Sequence, residues 1–159
     1  MILPFSTQIL GKESFFVEKI HKCFRLKEIY MKAGMCEDFY PNGYNYYVKD
    51  KCKAKLHVII EDKKERWKVG TKIDFFINVR QKNMFRFAPV LPVVSTQKIE
   101  IIHTEFINDI IITIDKKRLN TSEMQQLAYN DGFDNLYEFI AYFNEDYVGK
   151  IIHWTDKRY

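Results

Sequence analysis

Apolar and polar positions alternate along this chain in two rhythms, and the change of rhythm marks its elements. Over residues 14–30, Phe15, Phe16, Ile20, Phe24 and Ile29 recur at helical spacing among Lys and Glu, with Val17 and Cys23 filling the apolar side. This pattern predicts an amphipathic helix capped near Ser14. Residues 36–49 lose the period: Pro41-Asn42-Gly43 lies among Phe39, Tyr40, Tyr44, Tyr46 and Tyr47, which reads as a long loop. Its tyrosines either pack onto the domain or form an exposed apolar patch for a protein partner.

Strand-like runs follow. They are Leu56–Ile60, Ile73–Val79, an extended Met84–Val94 interrupted by Pro89 and Pro92, Gln97–His103 and Ile110–Ile114. Polar turns separate them at 63–70 and 80–83, with Asn108-Asp109 as a hairpin turn. Helical spacing returns where Asn120 and Glu123 form a capping-box pair ahead of Met124, Leu127 and Ala128. Gly132 is placed as a left-handed C-terminal residue and Asp134 as the cap of a second short helix carrying Leu136, Phe139, Ile140 and Phe143. A last strand is expected over Lys150–Thr155. The order predicts an α+β fold, a small curved sheet or barrel with short flanking helices. Periodicity alone does not choose the barrel.

Composition bounds this picture without redrawing it. With 159 residues, 47% hydrophobic and 29% charged, the chain has the make-up of a single globular domain spanning 1–159. No apolar run approaches the roughly 18 residues of a membrane span, and the N-terminus lacks the pattern of a signal peptide. Three cysteines, an odd number, argue for reduced thiols, so a cytoplasmic location without membrane contact is expected.

Charge does change the picture. The net +4 resolves into +1 over residues 1–48, +7 over 49–86 and −4 over 87–159. A basic middle segment suits a polyanion. Within it, Lys53, Lys55 and His57 share one face if the strand starts as early as residue 53, and Arg66-Trp67-Lys68 sets an aromatic between two cations. That triplet offers either an indole on which a base stacks while cations meet phosphates, or a core tryptophan under a solvated turn. Other chemistries find less support. His21 and Cys23 form the one close pair among His21, Cys23, Cys36, Cys52 and His57, and their spacing points them to different sides of a helix, so no metal site is expected. The serines sit in no nucleophile elbow, and there is no Gly-rich phosphate loop. No cofactor is implied.

From Lys55 onward the chain resembles the ASCH domain family of the PUA-like superfold. The family strand Lys-x-x-Thr-x-Arg corresponds to Lys55-Leu56-His57-Val58-Ile59-Ile60, and its Trp/Lys-Gly turn to Arg66-Trp67-Lys68-Val69-Gly70. Ala128-Tyr129-Asn130-Asp131-Gly132-Phe133 resembles the family's Ala-x-x-acid-Gly-Phe segment, and Ile151-Ile152-His153-Trp154 its closing strand. The resemblance spans about residues 12–155, with a Tyr-rich insertion at about 26–52. It implies a small PUA-like β-barrel with a cleft for RNA, a nucleotide or a modified base. Some members deacylate acetylated cytidine with a Lys, a Thr and an acid. Carried across, Lys55 matches the Lys and Asp131 the acid, but Val58 replaces the Thr and Ile60 the Arg. Valine has no hydroxyl to attack or relay a proton, and isoleucine no fork of donors for a phosphate. The expectation is therefore a binding module for RNA, single-stranded nucleic acid or a nucleotide-like molecule, using Lys53, Lys55, His57, Arg66, Trp67 and Lys68. A hydrolase acting on a modified nucleoside through Lys55, His57 and Asp131 is the second reading, and a protein-interaction domain the third.

Overall fold

A computed structural model describes residues 1–32, 52–104 and 110–159. It confirms a mixed α+β architecture, and the Tyr-rich stretch and the Asn108-Asp109 turn lie outside the described residues.

The five-stranded antiparallel sheet has the order β10 (Lys117–Arg118), β9 (Ile110–Ile114), β8 (Ser95–His103), β11 (Tyr147–His153), β4 (His57–Ile60). Its register sets Ile151 between Gln97 and Ile59, and His153 between Ser95 and His57. A smaller sheet pairs β1 (Ile2–Phe5) in parallel with β5 (Lys72–Ile77), which also pairs β6 (Phe85–Arg86) and β7 (Leu91–Pro92). β2 (Gln8–Ile9) and β3 (Lys12–Glu13) form a hairpin. Among the described residues each sheet is open in its hydrogen-bonded order.

Helix α1 (Phe16–Leu26) buries Phe16, Val17, Ile20, Cys23 and Phe24 as its spacing predicts, but it also buries Glu18, Lys19 and His21, so its covered surface is wider than one apolar face. The single helix expected over 14–30 is two: Glu28 takes φ +53, a left-handed turn that stops α1 before the short α2 (Ile29–Lys32). Helix α3 (Thr121–Asn130) has the expected capping box between Asn120 and Glu123. Helix α4 (Leu136–Tyr142) is capped by Asn135 rather than Asp134. The Asn135 side chain accepts from Glu138 N at 2.9 Å, whereas the Asp134 carboxylate holds Lys19.

Two cores flank the larger sheet. One gathers Leu3, Phe5, Ile20, Phe24, Ile73, Phe75, Trp67 and Trp154 between α1 and the small sheet. The other gathers Ile99, Ile101, Ile112, Ile151, Leu127 and Phe139 beneath α3 and α4. Burying each such Leu, Ile or Phe contributes about 1.5–3 kcal/mol.

The turn after α3 ties the two halves together. Gly132 has φ +95, and a Cβ there would sit 2.9 Å from Phe16 Cε1 and 3.0 Å from Lys55 Cδ. Gly132→Ala is expected to destabilise the protein by about 2 kcal/mol or more, combining left-handed strain with overpacking. Thermal denaturation measures this, and an unchanged midpoint would refute the close packing of Phe16 and Lys55 on that turn.

Candidate functional site

The segment entering β4 threads between two helices. Lys55 N donates to Lys19 O of α1 at 3.0 Å, and Leu56 N donates to Asn130 O at the end of α3 at 2.7 Å. These bonds aim the Lys55 side chain at the C-terminal end of α3, where carbonyls and the helix dipole favour a cation. Its ammonium donates to Asp131 Oδ1 at 2.9 Å and to the Asp131 carbonyl, and lies 4.4 Å from the centre of the Phe16 ring.

Asp131 serves three neighbours at once. Besides Lys55, its Oδ1 accepts from Ile59 N at 3.1 Å and faces His57 Nδ1 at 3.4 Å. His57 Nε2 meets the Tyr159 hydroxyl at 2.7 Å, which accepts from Asn130 Nδ2 at 2.7 Å. Gln126 Nε2 donates to Asn130 Oδ1 at 2.8 Å, closing the chain of bonds back onto α3. If the Tyr159 hydroxyl donates onward, His57 carries its hydrogen on Nδ1, toward Asp131. Gln97 and Tyr159 hold each other by Gln97 Nε2 to Tyr159 O at 3.3 Å and Tyr159 N to Gln97 Oε1 at 3.1 Å.

Burial dominates the electrostatics. It pulls the Lys55 ammonium below the usual lysine range, with Asp131 opposing the shift. It lowers His57 likewise, again against Asp131. His153, opposite His57 across β4 and β11 with ring centres 5.2 Å apart, is lowered to about 3 by burial and by the neighbouring His57, Arg158 and Lys157.

Three of the predicted site residues, Lys55, His57 and Asp131, are thus brought together, but they are sealed. Lys55 and His57 are fully buried and Asp131 is 4% exposed. The Lys55 bonds are met by Asp131, and neither His57 nor Lys55 meets solvent, so in this arrangement the group ties β4 to α3. The other predicted residues lie elsewhere. β4 begins only at His57, so the shared strand face expected for Lys53, Lys55 and His57 does not form, and Lys53 is exposed with its ammonium over the Tyr129 ring.

Trp67 corrects the stacking expectation. It is 5% exposed and belongs to the first core, while its neighbours Arg66 and Lys68 are exposed. The cause is Asp62, which the sequence reading missed. Its carboxylate accepts from Arg66 N at 3.0 Å and Trp67 N at 2.9 Å and holds Lys150 Nζ at 2.9 Å. Burial alone would raise Asp62, but Lys150 and the two amides hold it below the usual carboxylate range. That anchored turn swings the indole inward and leaves the flanking cations outside. Lys150 also bridges Glu65 at 2.5 Å, beside a cleft of about 390 Å³ that mixes Glu61, Glu100, Lys63 and Lys98.

A second cleft of about 70 Å³ lies between the β2–β3 hairpin, α1 and the 132–134 turn. Lys19 lines it, donating to Gly132 O at 2.7 Å and to Asp134 Oδ1 at 2.9 Å. Among the described residues no group of three His, Cys, Asp or Glu side chains could hold a metal, and no helix is long and apolar enough to cross a membrane. Cys23 is buried, its thiol pushed up to about 12 by desolvation. Comparison of the chain with protein-family models, curated proteins and solved structures gives no match.

Proposed function

We propose that the protein is a binding module for single-stranded RNA, built on an ASCH-like, PUA-related barrel scaffold whose catalytic chemistry is absent. One observation carries the reading. In the basic stretch, Lys64, Arg66, Lys68, Lys72, Arg80 and Lys82 are all exposed and make no ion pair among the described residues. By contrast, Lys63 and Arg86 are taken up by Glu61 at 2.7 Å and Asp74 at 2.8 Å. Cations left in solvent are free to neutralise phosphates, and that term supplies most non-specific affinity. The residues that would perform deacylation are meanwhile consumed in a buried ion pair, beside Val58 and Ile60, which lack the needed chemistry.

Fluorescence anisotropy with a labelled 20-nucleotide RNA tests this. Affinity is expected to fall with salt at a log–log slope of about 0.7 per neutralised phosphate. Reversing Lys53, Arg66 and Lys68 together to Glu is expected to weaken binding by about tenfold or more and flatten that slope. Salt-independent binding would overturn the electrostatic reading, and unaltered binding by the variant would remove Lys53, Arg66 and Lys68 from the interface. Turnover of acetylated cytidine by the purified protein would overturn the reading in favour of a hydrolase.

A further inference from the structure

The outward face of the small sheet carries a combination of side chains that packing does not require. β5 alternates, with Ile73, Phe75 and Ile77 buried and Lys72, Asp74 and Phe76 on the other side. The register sets Pro4 of β1 and Arg86 of β6 on either side of Phe76, and Ile2 beside Asp74. Ile2, Pro4 and Arg86 are exposed, so this face is open to solvent. Phe76 is half-buried there, although the same strand already supplies Phe75 to the core.

Arg86 turns this ring into a defined platform. Its guanidinium carbon lies 5.4 Å from the Phe76 ring centre, and Nη2 reaches Asp74 Oδ1 at 2.8 Å. Asp74 thus fixes the plane of a guanidinium next to an aromatic face, and its own charge is offset by Arg86. Flat groups of this kind stack on nucleobases regardless of sequence. Unpaired cations bracket the platform. Lys72 lies on the same side of β5, four residues or about 13 Å from Phe76 at strand rise, and Arg80 and Lys82 sit in the turn beyond its other end.

We infer that the outward face of β1, β5 and β6 is the base-contacting surface for single-stranded RNA, with a base stacked on Phe76 and Arg86 and the neighbouring phosphates met by Lys72, Arg80 and Lys82. This rests on the RNA-binding reading above and adds to it the side chains that take a base, the role that Trp67 is too buried to play. The charge pattern selects the ligand: a ring and a guanidinium at the centre with cations on both flanks complement a strand of bases joined by anions.

The test uses two labelled probes at low salt, a 12-nucleotide oligouridine and a ribose-phosphate strand of equal length lacking bases. Phe76→Leu keeps apolar volume on the sheet and removes the π-face. It is expected to weaken oligouridine binding by about fivefold or more and to leave the abasic strand unaffected. Lys72→Glu combined with Lys82→Glu is expected to weaken both probes. Thermal denaturation of each variant verifies that it is folded. Equal losses on both probes in Phe76→Leu, or no loss on either, would overturn the stacking role while the RNA-binding reading stands. Failure of the unaltered protein to bind either probe would overturn both.

Discussion

Replacing Asp131 with alanine is expected to cost about 3–5 kcal/mol of folding stability, the typical penalty for orphaning a buried charge. The Asp131 side chain is 5% exposed and faces a Lys55 side chain with no exposure at all. Its Oδ1 also receives the Ile59 amide and faces His57. Truncation therefore strands an ammonium, a backbone donor in β4 and a histidine together, all of them buried away from the surface. Urea denaturation measures the loss. The combined change Lys55→Met and Asp131→Asn removes both charges and keeps an acceptor for Ile59, so it is expected to cost less than Asp131→Ala alone. If Asp131→Ala matched the unaltered protein within about 0.5 kcal/mol, the threshold for ordinary surface changes, the network would not be a structural anchor.

Acidification is the second large effect, and its source is the adjacent histidine pair. His153 is held neutral by burial, its pKa lowered to about 3, and His57 is lowered in the same direction. An unfolded histidine titrates near 6.5, so below that pH the unfolded chain binds a proton that the folded chain refuses. The stability contributed by these neutral rings is complete above about pH 6.5 and is lost as the pH falls toward the folded values. For His153 the loss reaches about 1.4 kcal/mol per pH unit, or roughly 2.7 kcal/mol by pH 4.5. Neither His153 ring nitrogen has a hydrogen-bond partner among the described residues, so His153→Phe sacrifices no bond. That variant is expected to show a shallower fall in melting temperature between pH 7.5 and 4.5. Parallel curves for the variant and the unaltered protein would show that His153 is not the group that titrates.

Elements with strong local periods were legible from sequence. Ile110–Ile114 is a strand as expected, and the Asn120–Glu123 box opens α3. Gly132 takes its left-handed conformation just past that helix. These features depend on spacing and on one or two side chains reaching their own backbone. Short strands were not legible: Ile2–Phe5 holds a proline and only four residues, and exists as a strand because β5 lies parallel to it across seventy residues of chain. The split of the first helix at Glu28 was equally hidden, since nothing in that residue's chemistry demands a positive φ.

The candidate site divides in the same way. Lys55, His57 and Asp131 were identifiable as chemistry-bearing residues, and the mismatch at Val58 and Ile60 already weighed against deacylation. Tyr159 and Asn130 gave no signal, because their roles come only from meeting His57 in space.

By itself, the order of polar and apolar residues determined a mixed α+β chain, its principal helices and long strands, and a basic segment at its middle. Only the tertiary structure decided which of those cations meet solvent. Lys55 is drawn inside by Asp131 and Lys63 is taken up by Glu61, while Arg66, Lys68 and Lys72 stay out; the same rule buries Lys150 of the last strand against Asp62 and Glu65. The physical reason is that a cation's availability depends on the carboxylate it meets. The carboxylates that bury Lys55 and Lys150 come from turns distant in sequence, and pairing at that range is invisible to local pattern.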